Sequence, residues 1–314
     1  MSDKPTILLD FPPLGILKPR LSEAYEVLTL WDQPDLDAFL DGPGQRVRVI
    51  MGGLGHLENR LIERLPNLGL IARVGTGYDA VDVPFARSRG VEVTNTPGVN
   101  ADDVADMAMA LLLAVQRGVL EGDRMVRSGA WTPTYRGPMR PSMKDRKVGV
   151  VGLGAIGVEV AARATAFRSE VRWWGPRPKP DAAWPLAESL LSLAHWCDVL
   201  MICARSDGSN ARLIDGAVLD ALGPAGVVVN ITRGGILDED ALIARLKSGR
   251  LAGAGLDVFL AEPTPPDRWE GVPNTVLTPH IAGGGQAALR DMVELALENI
   301  RAYLAGEPPP TPVP

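Results

Sequence analysis

The fold of this chain is decided by residues 147–157, which have the sequence KVGVVGLGAIG. The apolar run 148–151 ends at a glycine turn and leads into an alanine-rich helical pattern, which predicts a buried strand, a tight turn and a helix. The three glycines Gly152, Gly154 and Gly157 have the G-x-G-x-x-G spacing. The first makes the turn, the second lets the backbone approach a pyrophosphate, and the third lets the helix pack close to the strand. In this context the motif predicts a dinucleotide site at the helix N-terminus.

Strand and helix patterns alternate along the chain, which predicts an α/β protein with two Rossmann-like domains built on doubly wound parallel sheets. Before residue 100, strand patterns occupy residues 6–9, 47–51, 70–74 and 91–93, with helical patterns at 35–39 and 57–64. Beyond the glycine motif, strand patterns follow at 171–174, 198–203, 226–231, 252–258 and 275–277. Long helices are predicted over residues 101–117 and 286–304, the second of them after the second sheet is complete.

Composition and charge exclude several classes of protein. With 314 residues, 46% of them hydrophobic and 22% charged, the chain has the composition of a globular protein with two domain cores. A net charge of −6 argues against nucleic acid as a partner, because phosphate binding needs a clustered basic face. No apolar run is long enough for a membrane span, and the start lacks the apolar region of a signal peptide. The spacing of Cys197 and Cys203 indicates core thiols in a reducing compartment, so we expect a cytoplasmic protein and no metal site.

Three side chains that can carry chemistry follow predicted strands of the second sheet, at the edge where open α/β sheets bind ligands. Arg233 follows the strand over residues 226–231, and its planar guanidinium suits a substrate carboxylate. Glu262 and His280 follow the next two strands. A carboxylate that accepts from one ring nitrogen fixes the tautomer, favours the imidazolium and leaves the other nitrogen to exchange a proton. Singly, these residues also fit a surface ion pair, an exposed loop acid and a core histidine, but their coincidence predicts a catalytic site.

Other candidates are less specific. Glycine-bearing loops at residues 51–55 and 74–78 end strands of the first sheet, and they fit either an anion site or a plain turn. His195 precedes a strand instead of following one, so we interpret it as structural. The role of His56 is left open.

The loop after the second strand of the nucleotide domain bears on the choice of cofactor. NAD-selective sites carry an acidic residue roughly 20 positions after the glycine motif, which accepts the ribose hydroxyls. Here the loop begins Gly175-Pro176-Arg177 and continues to Lys179, with no acid. A guanidinium pairs with a 2′-phosphate that a carboxylate would repel, so we predict NADP(H) in preference to NAD(H).

Taken together, these motifs resemble the D-isomer-specific 2-hydroxyacid dehydrogenases, and among them the glyoxylate/hydroxypyruvate reductase branch. The resemblance covers nearly the whole chain, in VGTGYD (74–79), TNTPGV (94–99), the glycine motif, NITRG (230–234), GLDVF (255–259) with Glu262-Pro263, and PHI (279–281). It implies that Arg233 binds the substrate carboxylate and polarises the carbonyl, that His280 donates the proton in reduction, and that Glu262 is its partner. It also implies that Asp257 meets the nicotinamide carboxamide.

The resemblance extends to the remaining site residues and the domains. It implies that the amides of Gly75, Thr76 and Gly77 bind the substrate carboxylate. The full set of predicted cofactor contacts is Gly152, Gly154, Ala155, Ile156, Gly157, Gly175, Pro176, Arg177, Ile231 and Asp257. The family fold implies a substrate-binding domain of residues 1–98 and 286–314, a dinucleotide-binding domain of residues 99–285, an active site in the cleft between them, and a homodimer through the cofactor domains. The branch commonly has Ser before the arginine, whereas this chain has Gly175-Pro176. One hydroxyl that would bond the phosphate is therefore lost, so NAD(H) remains a second candidate for the cofactor.

We therefore predict NADPH-dependent reduction of a small 2-oxo acid, similar to glyoxylate or hydroxypyruvate, to the D-2-hydroxy acid. One alternative is a bulkier substrate such as 2-ketogluconate or hydroxyphenylpyruvate. Another is a non-catalytic nicotinamide-sensing protein, since some relatives of the family act as transcriptional co-repressors. A formate dehydrogenase is disfavoured because that branch has Gln where Glu262 stands, and the longer phosphoglycerate dehydrogenases because no regulatory domain follows residue 314. Candidates for shaping the substrate pocket, some of them across a dimer interface, are Met51, Leu54, Tyr78, Trp131 and Tyr135.

Overall fold

The computed structural model of the protein describes residues 4–53, 57–206 and 209–314. Two residues singled out from the sequence, Leu54 and His56, lie outside these described ranges. The chain divides into two compact units, one of Met1–Asn100 with Gly285–Pro314 and one of Ala101–Gly284. None of the helices in the described ranges has the length and apolar character needed to cross a membrane.

The described residues form strands, α-helices and short 3₁₀ helices in alternation. The strands are β1 (Thr6–Leu9), β2 (Glu26–Thr29), β3 (Val47–Gly52), β4 (Leu70–Arg73), β5 (Glu92–Thr94), β6 (Lys147–Val151), β7 (Glu170–Trp174), β8 (Val199–Ile202), β9 (Val227–Asn230), β10 (Gly253–Leu256) and β11 (Thr275–Leu277). The α-helices are α1 (Lys18–Leu21), α2 (Leu36–Asp41), α3 (Asn59–Arg64), α4 (Val83–Ser88), α5 (Ala101–Arg117), α6 (Val119–Arg127), α7 (Ala155–Ala166), α8 (Leu190–Trp196), α9 (Gly216–Leu222), α10 (Glu239–Lys247) and α11 (Gln286–Ala305). The 3₁₀ helices are Pro12–Leu17, Pro43–Arg46, Met143–Asp145, Gly234–Ile236 and Pro266–Trp269.

The first unit is built on a parallel sheet with the strand order β2-β1-β3-β4-β5. Successive side chains of a strand point to opposite faces, so both faces of a buried parallel sheet must be covered. Ile7 and Leu9 of β1 pack on the side of α11, whereas Leu8 packs on the side of α2, α3 and α4. The predicted class, an α/β protein with helices on both faces of parallel sheets, is confirmed.

Two details of the first sheet differ from the prediction. The sequence pattern missed β2, which begins with a charged residue and buries only Thr29, because an edge strand does not need a continuous apolar run. The last strand is Glu92–Thr94, one residue later than predicted. It is shifted because Thr94 pairs with Ala72 of β4 and also forms an antiparallel bridge with Pro312 in the proline-rich tail.

The second unit contains a six-stranded parallel sheet with the order β11-β10-β9-β8-β6-β7. A parallel bridge between Trp173 and Leu186 adds one further residue of strand beyond β7, a position that the sequence pattern did not predict. The six strands already have a doubly wound order, because the chain passes from β6 outward to β7 and then to β8, β9, β10 and β11 on the other side. Helices α5 and α7 cover one face, and α8, α9 and α10 cover the other.

Helix α5 begins and ends at the predicted residues. Both cysteines lie in the core of the second unit as free thiols. Burial raises the pKa of each thiol, Cys197 and Cys203, to about 12. Since the thiolate is the reactive form, burial keeps both side chains in the less reactive thiol form.

Candidate active site

The carboxyl ends of β9, β10 and β11 lie side by side in register. Asn230 of β9 is paired with Leu256 of β10, which is paired in turn with Leu277 of β11. The backbone continues this alignment past the strands, because the amide of Asp257 donates to the carbonyl of Asn230 over 3.0 Å. The loops that leave these three ends carry Arg233, then Asp257 and Glu262, and then His280, so one edge of the sheet presents all four side chains.

The structure joins Glu262 and His280 directly. Oε2 of Glu262 lies 2.6 Å from Nδ1 of His280. The other carboxylate oxygen of Glu262 accepts from the amide of Phe259 over 2.9 Å, so the acid is anchored to its own loop. A carboxylate in this position holds the proton on Nδ1 and leaves Nε2 as the nitrogen that can exchange a proton with a ligand. The His280 side chain keeps 26% of its surface exposed, which gives that nitrogen access to a ligand.

Asp257 holds the turn that presents His280. It is fully buried, and its Oδ1 accepts from the hydroxyl of Thr278 (2.6 Å) and the amide of Ile281 (3.0 Å), while Oδ2 accepts from the amide of Ala282 (2.8 Å). His280 itself has a φ of +53°, in the left-handed region that non-glycine residues adopt only when their surroundings enforce it. The three bonds to Asp257 supply that enforcement. The predicted contact of Asp257 with a nicotinamide carboxamide stays a prediction.

Arg233 is placed by a buried asparagine that the sequence analysis did not single out. Asn230 donates from Nδ2 to the carbonyl of Arg233 over 3.0 Å and accepts at Oδ1 from the amide of Thr232 over 3.2 Å. These bonds close the turn between β9 and the 3₁₀ helix that starts at Gly234. The guanidinium of Arg233 is half-buried and donates from Nη1 to the carbonyl of Thr232 over 2.8 Å. The signal available in the sequence was a polar Asn at the end of an apolar strand, since a buried amide side chain must find hydrogen-bond partners.

The glycine motif has the geometry that a pyrophosphate cradle needs. Gly152 has a φ of +91°, and a β-carbon there would lie 2.6 Å from the Cα of Ala204. A β-carbon at Gly157 would overlap the carbonyl oxygen of Gly152, so only glycine lets α7 pack this close to the turn. A β-carbon at Gly154 would meet no atom within 4 Å, which leaves open space in front of the helix N-terminus. Ala155 is exposed at the first position of this helix, and the arrangement fits a bound phosphate group.

The loop after β7 carries the predicted specificity residues. Gly175 is half-buried, whereas Pro176 and Arg177 are exposed. The guanidinium of Arg177 makes no hydrogen bond or ion pair with any residue of the described ranges. Lys179, in contrast, donates from Nζ to the carbonyl of Leu153 over 2.5 Å and so ties this loop to the glycine motif. Ile231, the remaining predicted cofactor contact, is 5% exposed at the end of β9.

In the first unit, the structure reduces the number of amides that the predicted carboxylate-binding loop can offer to a substrate. The amide of Gly75 donates to the hydroxyl of Thr96 over 3.0 Å, so it is used within the unit and is not open to a substrate. The amides of Thr76 and Gly77 donate to no described residue. Their loop is fixed by the Thr76 side chain, which donates to Asn100 over 2.9 Å, and by Asn95, which donates to the Thr76 carbonyl over 2.7 Å.

The other candidates belong partly to the first unit and partly to the second. Met51 is fully buried in the core of the first unit, and Tyr78 packs partly against that core. The predicted role of both in the substrate pocket stays a prediction. Trp131 and Tyr135 are exposed on the second unit, with 64% and 38% of their surface accessible. His195 is exposed in the last turn of α8, before β8, on the side of the sheet opposite to the strand ends that carry His280.

Residues 109–282 match the family model described as D-isomer specific 2-hydroxyacid dehydrogenase, NAD binding domain. The chain belongs to this family of oxidoreductases. It is 37% identical over 310 residues to a hydroxyphenylpyruvate reductase of Plectranthus scutellarioides, with 98% of each chain covered. It is 38% identical over 314 residues to a 2-ketogluconate reductase of Gluconobacter oxydans, with 100% of each chain covered.

A solved structure is similar over almost the whole chain. It is the NADPH-dependent glyoxylate/hydroxypyruvate reductase of Sinorhizobium meliloti in complex with NADP and malonate. The TM-score is 0.91 at 34% identity, and the match covers 99% of this chain and 97% of the other. The family therefore places a nicotinamide cofactor on the second unit, whose glycine motif has the geometry described above.

Proposed function

We propose that the protein reduces a small 2-oxo acid, similar to glyoxylate or hydroxypyruvate, to the D-2-hydroxy acid with NADPH. The observation that carries this proposal is the bonded pair of Glu262 and His280 at the same sheet edge as Arg233. A nicotinamide cofactor, when bound, supplies the hydride that the C2 carbonyl carbon accepts. The chain itself must then bind the carboxylate of the substrate, polarise its carbonyl and deliver a proton to the carbonyl oxygen.

In this proposal each catalytic residue has one task. Arg233 binds the substrate carboxylate and donates toward the carbonyl oxygen, where negative charge develops during the reaction. Nε2 of protonated His280 donates its proton to that oxygen as the C2–H bond forms, so the products are the hydroxy acid and neutral imidazole. The carboxylate of Glu262 stabilises the imidazolium through Nδ1 and keeps the ring in one orientation. The amides of Thr76 and Gly77 are the donors of the first unit that remain to bind the substrate carboxylate.

The preference for NADPH rests on the loop after β7. Arg177 is exposed and makes no bond within the described part of the chain, so its guanidinium has all its donors available for a 2′-phosphate. No acidic side chain stands between Trp174 and Lys179 to accept ribose hydroxyls. The predicted contacts of Gly175, Pro176 and Ile231 with the cofactor belong to this proposal as well.

We also propose a homodimer that forms through the second unit. The stretch from α6 to the strand β6 exposes large apolar side chains, with 60% of Val126, 64% of Trp131 and all of Met139 accessible. Exposed apolar side chains grouped in one segment are typical of an interaction surface. Light scattering of the wild type and of Trp131→Glu measures the mass directly, and an unchanged monomer mass in both contradicts the dimer. The cytoplasmic location that the cysteine usage predicts stays a prediction.

The test of the proposed function is a spectrophotometric panel. It measures kcat/KM for glyoxylate, hydroxypyruvate, pyruvate, 2-ketogluconate and hydroxyphenylpyruvate with NADPH and with NADH. We expect the highest values for glyoxylate or hydroxypyruvate with NADPH. A maximum with one of the last two acids identifies a reductase of bulkier substrates, and an NADH preference overturns the role of Arg177. If none of these acids is turned over while NADPH still binds, the protein is a nicotinamide-sensing binding protein.

A further inference from the structure

A buried carboxylate next to the site has no place in the mechanism above. Glu239 is the first residue of α10, and its side chain is only 2% exposed. A buried carboxylate is costly unless it is paired and hydrogen-bonded. One oxygen of Glu239 accepts from the amide of Leu260, and the other accepts from Nε of Arg268 over 2.8 Å. The acid therefore joins α10 to the loop that carries Glu262.

The peptide between Phe259 and Leu260 is the element that Glu239 holds. Its own N–H, that of Leu260, donates to Glu239, and the N–H of the preceding peptide, that of Phe259, donates to Glu262. The same peptide lies against Gly234, where an added β-carbon would overlap the carbonyl group of Phe259 and the nitrogen of Leu260. This peptide unit thus lies against Gly234, the neighbour of Arg233, and it directly follows the peptide whose N–H anchors Glu262.

Arg268 supplies the charge that Glu239 needs. Its Nε pairs with Glu239, and its Nη2 donates to the exposed carboxylate of Asp240 over 2.9 Å. Because Arg268 bonds both neighbouring acids at the start of α10, a matched comparison is available within one turn of helix. Among the described residues, Glu239 alone accepts a hydrogen bond from the amide of Leu260, whereas Asp240 bonds the same arginine and makes no hydrogen bond to that amide.

We propose that Glu239, with Arg268 as its counterion, is a positioning residue that fixes the Phe259–Leu260 peptide and thereby sets the Glu262–His280 pair against Arg233. This inference rests on the proposed function for its effect on turnover. Glu239→Ala removes both acceptors, whereas Glu239→Gln keeps one acceptor oxygen and places an NH2 group where the second bond was accepted. Either change breaks the link from Leu260 to Arg268 and loosens the loop that anchors Glu262. A displacement of about 1 Å at a reacting group costs on the order of 10²-fold in rate.

The test combines kinetics with a measurement that needs no turnover. Glu239→Gln, Glu239→Ala and the control Asp240→Asn are compared with the wild type in kcat, in KM for glyoxylate, in the Kd of NADPH and in the NMR signal of the His280 Nδ1 proton. The chain has three histidines, so this signal is assigned by its loss in His280→Gln. We expect both Glu239 variants to lower kcat about 10- to 100-fold and to lose the Nδ1 signal through exchange, with the Kd of NADPH unchanged. Asp240→Asn keeps both properties.

Conservative rescue separates positioning from a general loss of structure. Arg268→Met leaves Glu239 without its counterion and is expected to behave like Glu239→Gln. Arg268→Lys keeps the charge and is expected to retain most of the turnover of the wild type. An Nδ1 signal that persists unchanged in Glu239→Gln overturns the proposal, whatever happens to kcat. If Glu239→Ala does not fold, Glu239→Gln and the Arg268 pair give the answer. If the wild type turns over no 2-oxo acid, the proposed function fails, and the Nδ1 signal still decides the role of Glu239.

Discussion

Nη1 of Arg73 lies 3.7 Å from Oδ2 of Asp10, and the two side chains are only 2% and 6% exposed. The pair joins the ends of β1 and β4, and Arg73 precedes the loop that begins at Gly75 by two residues. Asp10 also accepts from the amide of Gly53 over 3.2 Å, so it holds the end of β3 as well. Burial raises the pKa of Asp10 above its ordinary value, and the charge of Arg73 opposes that shift.

Replacing Arg73 with Met is expected to make the stability of the protein depend more strongly on pH than that of the wild type. A carboxyl whose folded pKa is raised stabilises the fold below its unfolded pKa of 3.8, and this contribution is lost as pH rises through the folded pKa. Without Arg73 the pKa of Asp10 rises further, so the loss becomes larger. We expect the destabilisation relative to the wild type to be smallest near pH 4 and to reach about 3–5 kcal/mol near neutral pH, measured by urea unfolding.

The double variant Asp10→Asn/Arg73→Met is the control for that experiment. It removes the titrating carboxyl, so its stability difference from the wild type should not increase between pH 4 and pH 7. A difference for the single variant that is equal at both pH values contradicts the account of the pair, because any other bonds lost with Arg73 do not titrate with Asp10.

His280→Ala should lower kcat by about 10²- to 10⁴-fold, the range that a general acid contributes. The Kd of NADPH should stay within about two-fold, because the role proposed for this side chain is to protonate the substrate oxygen and not to bind the dinucleotide. His195→Gln is the matched control, since His195 is exposed at the other side of the sheet and should keep full turnover. Stopped-flow measurement of hydride transfer checks both, and undiminished turnover in His280→Ala would end the assignment.

Gly154→Ala separates cofactor binding from folding. Gly154 has a φ of −79°, which any residue adopts, and its β-carbon would meet no atom of the described chain. We expect an unfolding free energy within about 1 kcal/mol of the wild type but a weaker Kd for NADPH, because the methyl group takes the space where a pyrophosphate approaches. Gly157→Ala is the contrasting variant and should destabilise the fold by about 1–3 kcal/mol through overlap with Gly152. Unaltered NADPH affinity in Gly154→Ala would place the phosphates elsewhere.

Arg177→Ala should weaken the binding of NADPH without affecting the binding of NADH. A hydrogen bond to a charged group contributes about 1.5–3 kcal/mol, which corresponds to roughly 10- to 100-fold in Kd. Lys179→Met is the comparison variant. Lys179 bonds the glycine loop, so its loss should weaken the binding of both cofactors alike. Fluorescence titration gives all the Kd values. Equal losses for NADPH and NADH in Arg177→Ala would remove the 2′-phosphate from its vicinity.

Much of the architecture is predictable because it follows from periodic patterns. The glycine motif and the apolar runs predicted the parallel sheets, and the position of Arg233, Glu262 and His280 after neighbouring strands follows from the rule that parallel strand ends share one edge. Helix α5 has the predicted bounds because its apolar face is regular over 17 residues. These features depend on local sequence, which is why the sequence alone contains them.

What could not be predicted depends on contacts between residues distant in the chain. The bond from Glu239 to the amide of Leu260 spans 21 residues, and nothing in the sequence around either residue indicates it. The use of the Gly75 amide by Thr96 likewise depends on how β4 and β5 are joined. Strand β2 and the bridge at Leu186 were missed because edge positions need few apolar residues.

Helix α11 has a consequence for the order in which this protein can form during its synthesis. Its side chains Ala296, Leu297 and Ile300 cover the sheet face that contains Ile7 and Val49. The ribosome delivers residues 286–305 only after the whole of Ala101–Gly284 has been made. The second unit is continuous and can fold as soon as it emerges, whereas the first, although synthesised earlier, waits with an uncovered apolar face. Nascent chains halted anywhere between about residue 100 and residue 285 should therefore expose this face and recruit chaperones.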